Sequence, residues 1–311
     1  MFQKPKFSFV GGIKPLECSR KAQRRAAVSA CVASDGNAFR VWSKLDFRMK
    51  TTLAFVFALS LSLTAPAQDW AKKSLEKSSR HSEWVTLKHD NRSVQAFIVY
   101  PEVKTKAPAV VVIHEIFGLS DWARSVADEL AAAGYIAIAP DLLSGFGPNG
   151  EGTSGFSSNQ DAIKVVSGLD PDVITADLNA AADYVKKLPS SNGKVAVAGF
   201  CWGGGQSFRF AANRRDLSAA FVFYGPPPKD LSAISAPVYG FYAGNDNRID
   251  ATIPDVQEAM KSAGKKYDPV TYEGATHAFM RMGEDPGNSN PANKTAHDQA
   301  WERWKALLKA M

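Results

Sequence analysis

Lys194-Val195-Ala196-Val197-Ala198-Gly199-Phe200-Cys201-Trp202-Gly203-Gly204 decides the architecture of this chain. The short apolar run reads as a strand buried on both faces. The Gly-x-Cys-x-Gly-Gly behind it reads as a sharp turn into a helix with cysteine at the apex, a geometry that exposes a nucleophile at a strand end. The flanking glycines fit that turn, because a side chain two positions from a strained nucleophile would collide with the backbone. The turn also aims the Trp202 backbone N–H, at the start of the new helix, toward any oxyanion forming above Cys201. Taken alone, the motif also fits a free cysteine packed as a small hydrophobe.

Around this turn the pattern is one of alternating strands and helices. Trp84–Leu87 and Val94–Tyr100 alternate apolar and polar residues about Asp90-Asn91-Arg92, as an edge hairpin does. Pro108–His114, Tyr135–Asp141, Ala219–Tyr224, Pro237–Ala243 and Pro269–Tyr272 read as further strands. Helical patterning covers Asp121–Ala133, Asp172–Leu188, Pro254–Ala263 and Asn293–Lys309, while the Gly- and Ser-rich stretch Gly145–Ser158 reads as an exposed loop beside the site. The sum predicts an α/β fold: a mostly parallel central sheet with helices on both faces and right-handed crossovers. No repeat or linker divides residues 68–311, which read as one domain.

Ligands of such sheets bind beyond the carboxyl ends of the strands. Asp246 follows one strand in Gly244-Asn245-Asp246, and His277 follows another in Gly274-Ala275-Thr276-His277. Nucleophile, acid and base then come in the α/β-hydrolase order. His277 would take or stabilise the thiol proton, and Asp246 would fix the imidazole tautomer. Asp246 alone could be a turn-forming aspartate, and Asp250 is a rival that reads as the start of the next helix. After the first buried strand comes His114-Glu115-Ile116-Phe117-Gly118, whose Ile116 N–H is the natural second oxyanion donor. Glu115 could equally be a structural carboxylate holding loop amides, and His114 reads as a residue pinning the loop. Phe117, Trp202, Tyr224 and Tyr242 follow strands or the turn and could line an aromatic pocket or belong to the core.

His114–Gly118, Gly199–Gly204, Gly244–Asp246 and His277-Ala278-Phe279-Met280-Arg281 together resemble the successive motifs of the dienelactone hydrolase family, from about Trp84 to the C-terminus. The resemblance implies an α/β-hydrolase fold with a Cys-His-Asp triad that cleaves lactones or esters through an acyl-cysteine. It implies that Glu115 holds or accepts the Cys201 proton at rest, and that Arg281 grips a substrate carboxylate. One departure bears on substrate: the interval Leu142–Lys187 holds no arginine where the family's dienelactone-specific members carry a second one. Lys164 could partly substitute, without the bidentate fork. The alternatives are a broader carboxylesterase or thioesterase, or a non-catalytic binding or redox-sensing protein using Cys201.

The net charge of +6 is unevenly placed: residues 1–67 carry +8 and the remainder −2, so nothing points to a nucleic-acid partner. Met49–Thr52, the apolar Leu53–Leu63 and Thr64-Ala65-Pro66-Ala67 have the three parts of a secretory signal, cut before Gln68. Residues 49–67 are therefore expected to direct a periplasmic or secreted protein without a stable membrane anchor. Residues 1–48 read as a disordered or mis-called N-terminal extension, with a genuine leader as the alternative. Cys18 and Cys31 lie there, so export leaves Cys201 as the one mature cysteine, unable to pair internally. No cofactor is expected: five histidines form no ligand cluster, and one thiol cannot build a thiolate zinc site. The expected partner is a small lactone or ester, and the expected assembly a monomer or small homo-oligomer.

Overall fold

The computed structural model describes residues 68–311; the expectations for residues 1–48 and 49–67 lie outside the described residues. A helix, α1 (Asp69–Lys77), leads into the hairpin β1 (Ser82–His89) and β2 (Arg92–Val99). Then come β3 (Ala107–Ile113), α2 (Asp121–Ala132), β4 (Ile136–Pro140), α3 (Asn159–Ser167), α4 (Pro171–Lys187), β5 (Ser191–Phe200) and α5 (Trp202–Asn213). The chain closes with β6 (Ala219–Phe223), β7 (Val238–Ala243), α6 (Asn247–Asp250), α7 (Ile253–Ser262), β8 (Tyr267–Tyr272), α8 (Phe279–Glu284) and α9 (Pro291–Lys309).

The strands form an eight-stranded sheet in the order β1-β2-β4-β3-β5-β6-β7-β8. β1 pairs antiparallel with β2, and β2 antiparallel with β4; all other pairings are parallel. This is an α/β-hydrolase architecture.

The central strands are apolar along their buried lengths because both faces are covered, and their side chains still alternate between two cores. Ala196, Ala198 and Phe200 of β5 join the core that contains Trp122 of α2 and Trp304 of α9. Val195 and Val197 join the opposite core with Leu178 of α4 and Phe208 of α5. Aromatic rings stack across the first face, Phe200 on Phe223 at 4.6 Å and Phe223 on Phe241 at 4.3 Å between centroids. Each such ring, fully buried, contributes about 1.5–3 kcal/mol.

The parallel register brings the strand ends together. Ile113 pairs with Gly199, and Phe200 with Phe223, so the residues following β3, β5 and β6 emerge side by side. The Cys201 N–H donates to Phe223 O at 3.0 Å, and the Tyr224 N–H to Phe241 O at 2.8 Å. The stretch read as an exposed loop, Gly145–Ser158, is pinned rather than loose. It contains two 3₁₀ turns, and the buried Asp141 carboxylate accepts from the Thr153 N–H and hydroxyl, both at 2.7 Å. The Thr153 hydroxyl accepts in turn from the Leu119 N–H at 2.8 Å, tying this loop to the segment that follows β3.

Candidate active site

Cys201 is the sharp point of the strand–helix turn. Its backbone has φ 56° and ψ −117°, a conformation that a non-glycine residue adopts only when its surroundings force it. The neighbouring glycines make the turn possible. A Cβ at Gly199 would lie 1.9 Å from Gly203 O, and one at Gly203 would lie 2.3 Å from His114 O. The backbone N–H groups of Trp202 and Ile116 face the sulfur and favour its thiolate. They are outweighed by burial and by the Glu115 carboxylate, which push the thiol up to about 11. At rest the sulfur is a neutral thiol. The Trp202 indole stacks on the His114 ring, 5.5 Å between centroids and 13° apart in plane.

His277 and Asp246 meet as their order suggested. Nδ1 of the imidazole lies 2.5 Å from Asp246 Oδ2, and a bond there selects the neutral tautomer whose Nε2 is an acceptor. Asp246 is held by the β7 end and begins α6, while Ala278 takes a left-handed φ of 66° to turn the chain from His277 into α8. The Tyr224 ring packs edge-on against His277 at 5.0 Å. His277 is engaged only through Nδ1, and Cys201 makes no hydrogen bond to it in this state.

Glu115 and Arg281 form the second element of the site. Arg281 Nε donates to Glu115 Oε2 at 2.6 Å, and its guanidinium lies over the Phe117 ring, 5.5 Å from the centroid. Glu115 is 3% exposed, and its other oxygen, Oε1, is buried with no hydrogen-bond partner among the described residues. Burial raises the Glu115 carboxyl above its usual range, while Arg281 pulls it back. Glu115 therefore does not hold loop amides, the structural role open to it from sequence. Arg281 stands in the six-residue helix α8.

Several expectations need correction. Tyr224 is fully buried, with an unpartnered hydroxyl and a strained φ of 42°, so its ring backs His277 instead of lining an open pocket. Tyr242 takes the core place that the sequence left open to it, on the far face of the sheet, where the Tyr267 hydroxyl donates to its oxygen at 2.8 Å. Asp250 closes α6 rather than opening α7, and Asp246 alone bonds His277. Lys164 faces an apolar groove with Phe146 and Phe156, away from the candidate residues. Sequence reasoning passed over Arg248. It stands exposed on α6, without an ion pair among the described residues, and its charge favours the Cys201 thiolate. Its position two residues beyond Asp246 was the available signal.

Phe117 also borders a hollow of about 480 Å³ shared with Trp84, Arg124 and Thr153, which offers room beside the site. A larger hollow of about 850 Å³ lies at the hairpin, around His89, Arg92 and Glu151, and includes none of the candidate residues. Among the described residues there is no group of three or more His, Cys, Asp or Glu side chains able to hold a metal ion.

Comparisons with known proteins point to one family. The family model described as "Dienelactone hydrolase family" matches residues 94–311. A protein of Saccharolobus solfataricus named "Putative carboxymethylenebutenolidase" is 32% identical over 256 residues, 71% of this chain and 95% of that one. One of the same name from Escherichia coli is 33% identical over 190 residues, covering 55% of this chain and 67% of the relative. Among solved structures, a "Putative Dienelactone Hydrolase" from Klebsiella pneumoniae superposes with a TM-score of 0.65 at 25% identity, over 75% of this chain and all of the other.

Proposed function

The chain belongs to the dienelactone hydrolase family, and from that premise we propose that it cleaves a lactone or carboxylic ester through an acyl-Cys201 intermediate. What supports this most is the convergence beyond the carboxyl ends of the strands of a strained cysteine beneath two amides, an imidazole oriented by a carboxylate, and an arginine paired to a half-satisfied glutamate. A substrate carboxylate competes with Glu115 for Arg281. The released Glu115 takes the thiol proton, and the thiolate turns toward His277 and attacks the acyl carbonyl. The Ile116 and Trp202 N–H groups hold the oxyanion. The acyl C–O bond then breaks, and the leaving oxygen takes up the proton given up by the thiol. In the second half, His277 Nε2 removes a proton from water as it attacks the thioester, and returns it to sulfur as the acid departs. Asp246 holds the tautomer and balances the imidazolium.

This reading keeps the thiol mostly protonated until a carboxylate-bearing ligand arrives, so an activated neutral ester is turned over only slowly, consistent with a pKa near 11 at rest. A broader esterase is the second reading, favoured by the lack of arginine in Leu142–Lys187 and by Arg281 being already occupied. Turnover of a carboxymethylenebutenolide and of p-nitrophenyl acetate separates the two. Cys201→Ala should abolish both activities, and brief exposure to substrate should leave the acyl mass on the wild-type protein alone. Full activity in Cys201→Ala would overturn the mechanism. We also propose export, on the sequence of residues 49–67; mass spectrometry of the mature N-terminus, expected at Gln68, tests it.

A further inference from the structure

The hydrolase reading gives His277 and Arg281 separate tasks, and a single helix braces the segment that carries both. Asn293 and His297 lie four apart on α9, hence on one face, and both are buried. Asn293 Oδ1 accepts from the Thr276 N–H at 2.9 Å and from the Thr276 hydroxyl at 3.1 Å, immediately before His277. His297 Nε2 donates to Glu284 Oε1 at 3.0 Å, at the last residue of α8, the helix that carries Arg281. Trp122 Nε1 donates to the same oxygen at 3.3 Å, and His297 Nδ1 meets Asp298 Oδ1 at 3.0 Å. Between these two attachments α8 lies against α9 so closely that a Cβ on Gly283 would be 2.5 Å from the His297 Cβ and 2.6 Å from Asn293 O.

We propose that Asn293 and His297 are positioning residues with divided roles, resting on the reading above. Asn293, through Thr276, sets the approach of His277 to the sulfur. His297, through Glu284, sets the presentation of Arg281 to a substrate carboxylate. The division follows from where each bond lands. One fixes the residue before the base, and the other fixes the helix turn beyond the arginine, with the left-handed Ala278 between them as a joint. Two buried polar residues serving only stability would lower every activity together. Positioning residues separate kcat from KM.

The experiment compares p-nitrophenyl acetate with a carboxymethylenebutenolide in the full-length protein. Asn293→Leu should lower kcat for both by roughly 10- to 100-fold, the scale of a misplaced catalytic group. Asn293→Asp, which keeps the acceptor oxygen, should restore most of it. His297→Leu should leave p-nitrophenyl acetate within about twofold and raise KM for the carboxylate lactone roughly tenfold, as expected for a weakened charge-assisted contact. His297→Gln, which keeps a donor, should sit near wild type. Where a leucine variant does not fold, Asn293→Ser and His297→Asn carry the same comparison.

Alkylation of Cys201 supplies a readout without turnover. His297→Leu should slow iodoacetate, which carries a carboxylate for Arg281, relative to neutral iodoacetamide. Equal losses in His297→Leu on both substrates and both reagents, or an unchanged Asn293→Leu, would overturn the positioning roles while Cys201-dependent turnover keeps the hydrolase reading. Conversely, a wild type that turns over no ester, with the alkylation ratio shifted as described, overturns the hydrolase reading and leaves the role of α9 standing.

Discussion

Two buried carboxylates, each held by an arginine, sit at different places in this sheet. Asp177, on α4, is 1% exposed, and both of its oxygens are taken. Arg92 Nε reaches Oδ1 and Oδ2 at 2.8 and 3.0 Å, another Arg92 nitrogen reaches Oδ2 at 2.9 Å, and His89 Nε2 meets Oδ1 at 2.6 Å. Arg92 also donates to Ser144 O and Leu142 O, so the cluster fastens the hairpin to α4 and to the loop after β4. Glu115 is nearly as buried but has one partner and one bare oxygen. A saturated carboxylate is a fastening, because moving it breaks several bonds at once. A half-saturated one keeps bonding capacity for a group that is not yet there.

The comparison can be broken at either end. The largest effect should come from Asp177→Ala, which strands Arg92 and His89 and should cost about 3–5 kcal/mol in chemical denaturation. Specific activity of the folded fraction should stay unchanged; a drop comparable to the stability loss would make Asp177 part of the working site. Arg281→Ala should come next, raising KM for a carboxylate lactone roughly 10- to 100-fold, about 1.5–3 kcal/mol for a charged hydrogen bond, and sparing p-nitrophenyl acetate. Glu115→Gln should move the midpoint of Cys201 alkylation down from about 11, since it removes the negative charge that opposes the thiolate. A shift on the order of one unit, about 1.4 kcal/mol, is expected. A midpoint that holds or rises would mean that Glu115 does not bear on the sulfur.

A separate effect, on stability alone, concerns Glu129 of α2, pushed up to about 7 by burial and by nearby Glu284. The folded state holds this proton more tightly than the unfolded chain, so its stabilising effect is complete below about 4.5 and is lost as pH rises toward about 7. Glu129→Gln should flatten the pH dependence in that window and be the more stable protein at pH 8. Parallel denaturation curves for the two proteins at pH 5 and 8 would contradict it.

Much of this architecture is legible in the sequence, for reasons that can be named. The β5 run and its glycine pair are read correctly because close backbone approach at Gly199 and Gly203 leaves no other residue type. The hairpin is read from its period of two, and Asp246 and His277 from their places just past strands. Four helices escaped. α1 is mostly polar and buries only Ala71, α3 begins at Asn159 just past the Gly/Ser stretch that hides its cap, and α6 and α8 are only four and six residues long. The burial of Tyr224 and the partnership of Glu115 with Arg281 are tertiary facts, joining residues 166 apart in the chain in the latter case. No local pattern carries them. Asn293 and His297 do share a helical face in the sequence, but nothing local says which loop that face meets.

The high pKa of the thiol bears on durability. Peroxide and electrophiles attack thiolates, and at pH 7 a group near 11 is ionised in roughly one molecule in ten thousand. An idle copy of this protein should therefore outlast ordinary thiol enzymes in an oxidant bath and, under the proposed mechanism, become most vulnerable while a ligand occupies Arg281.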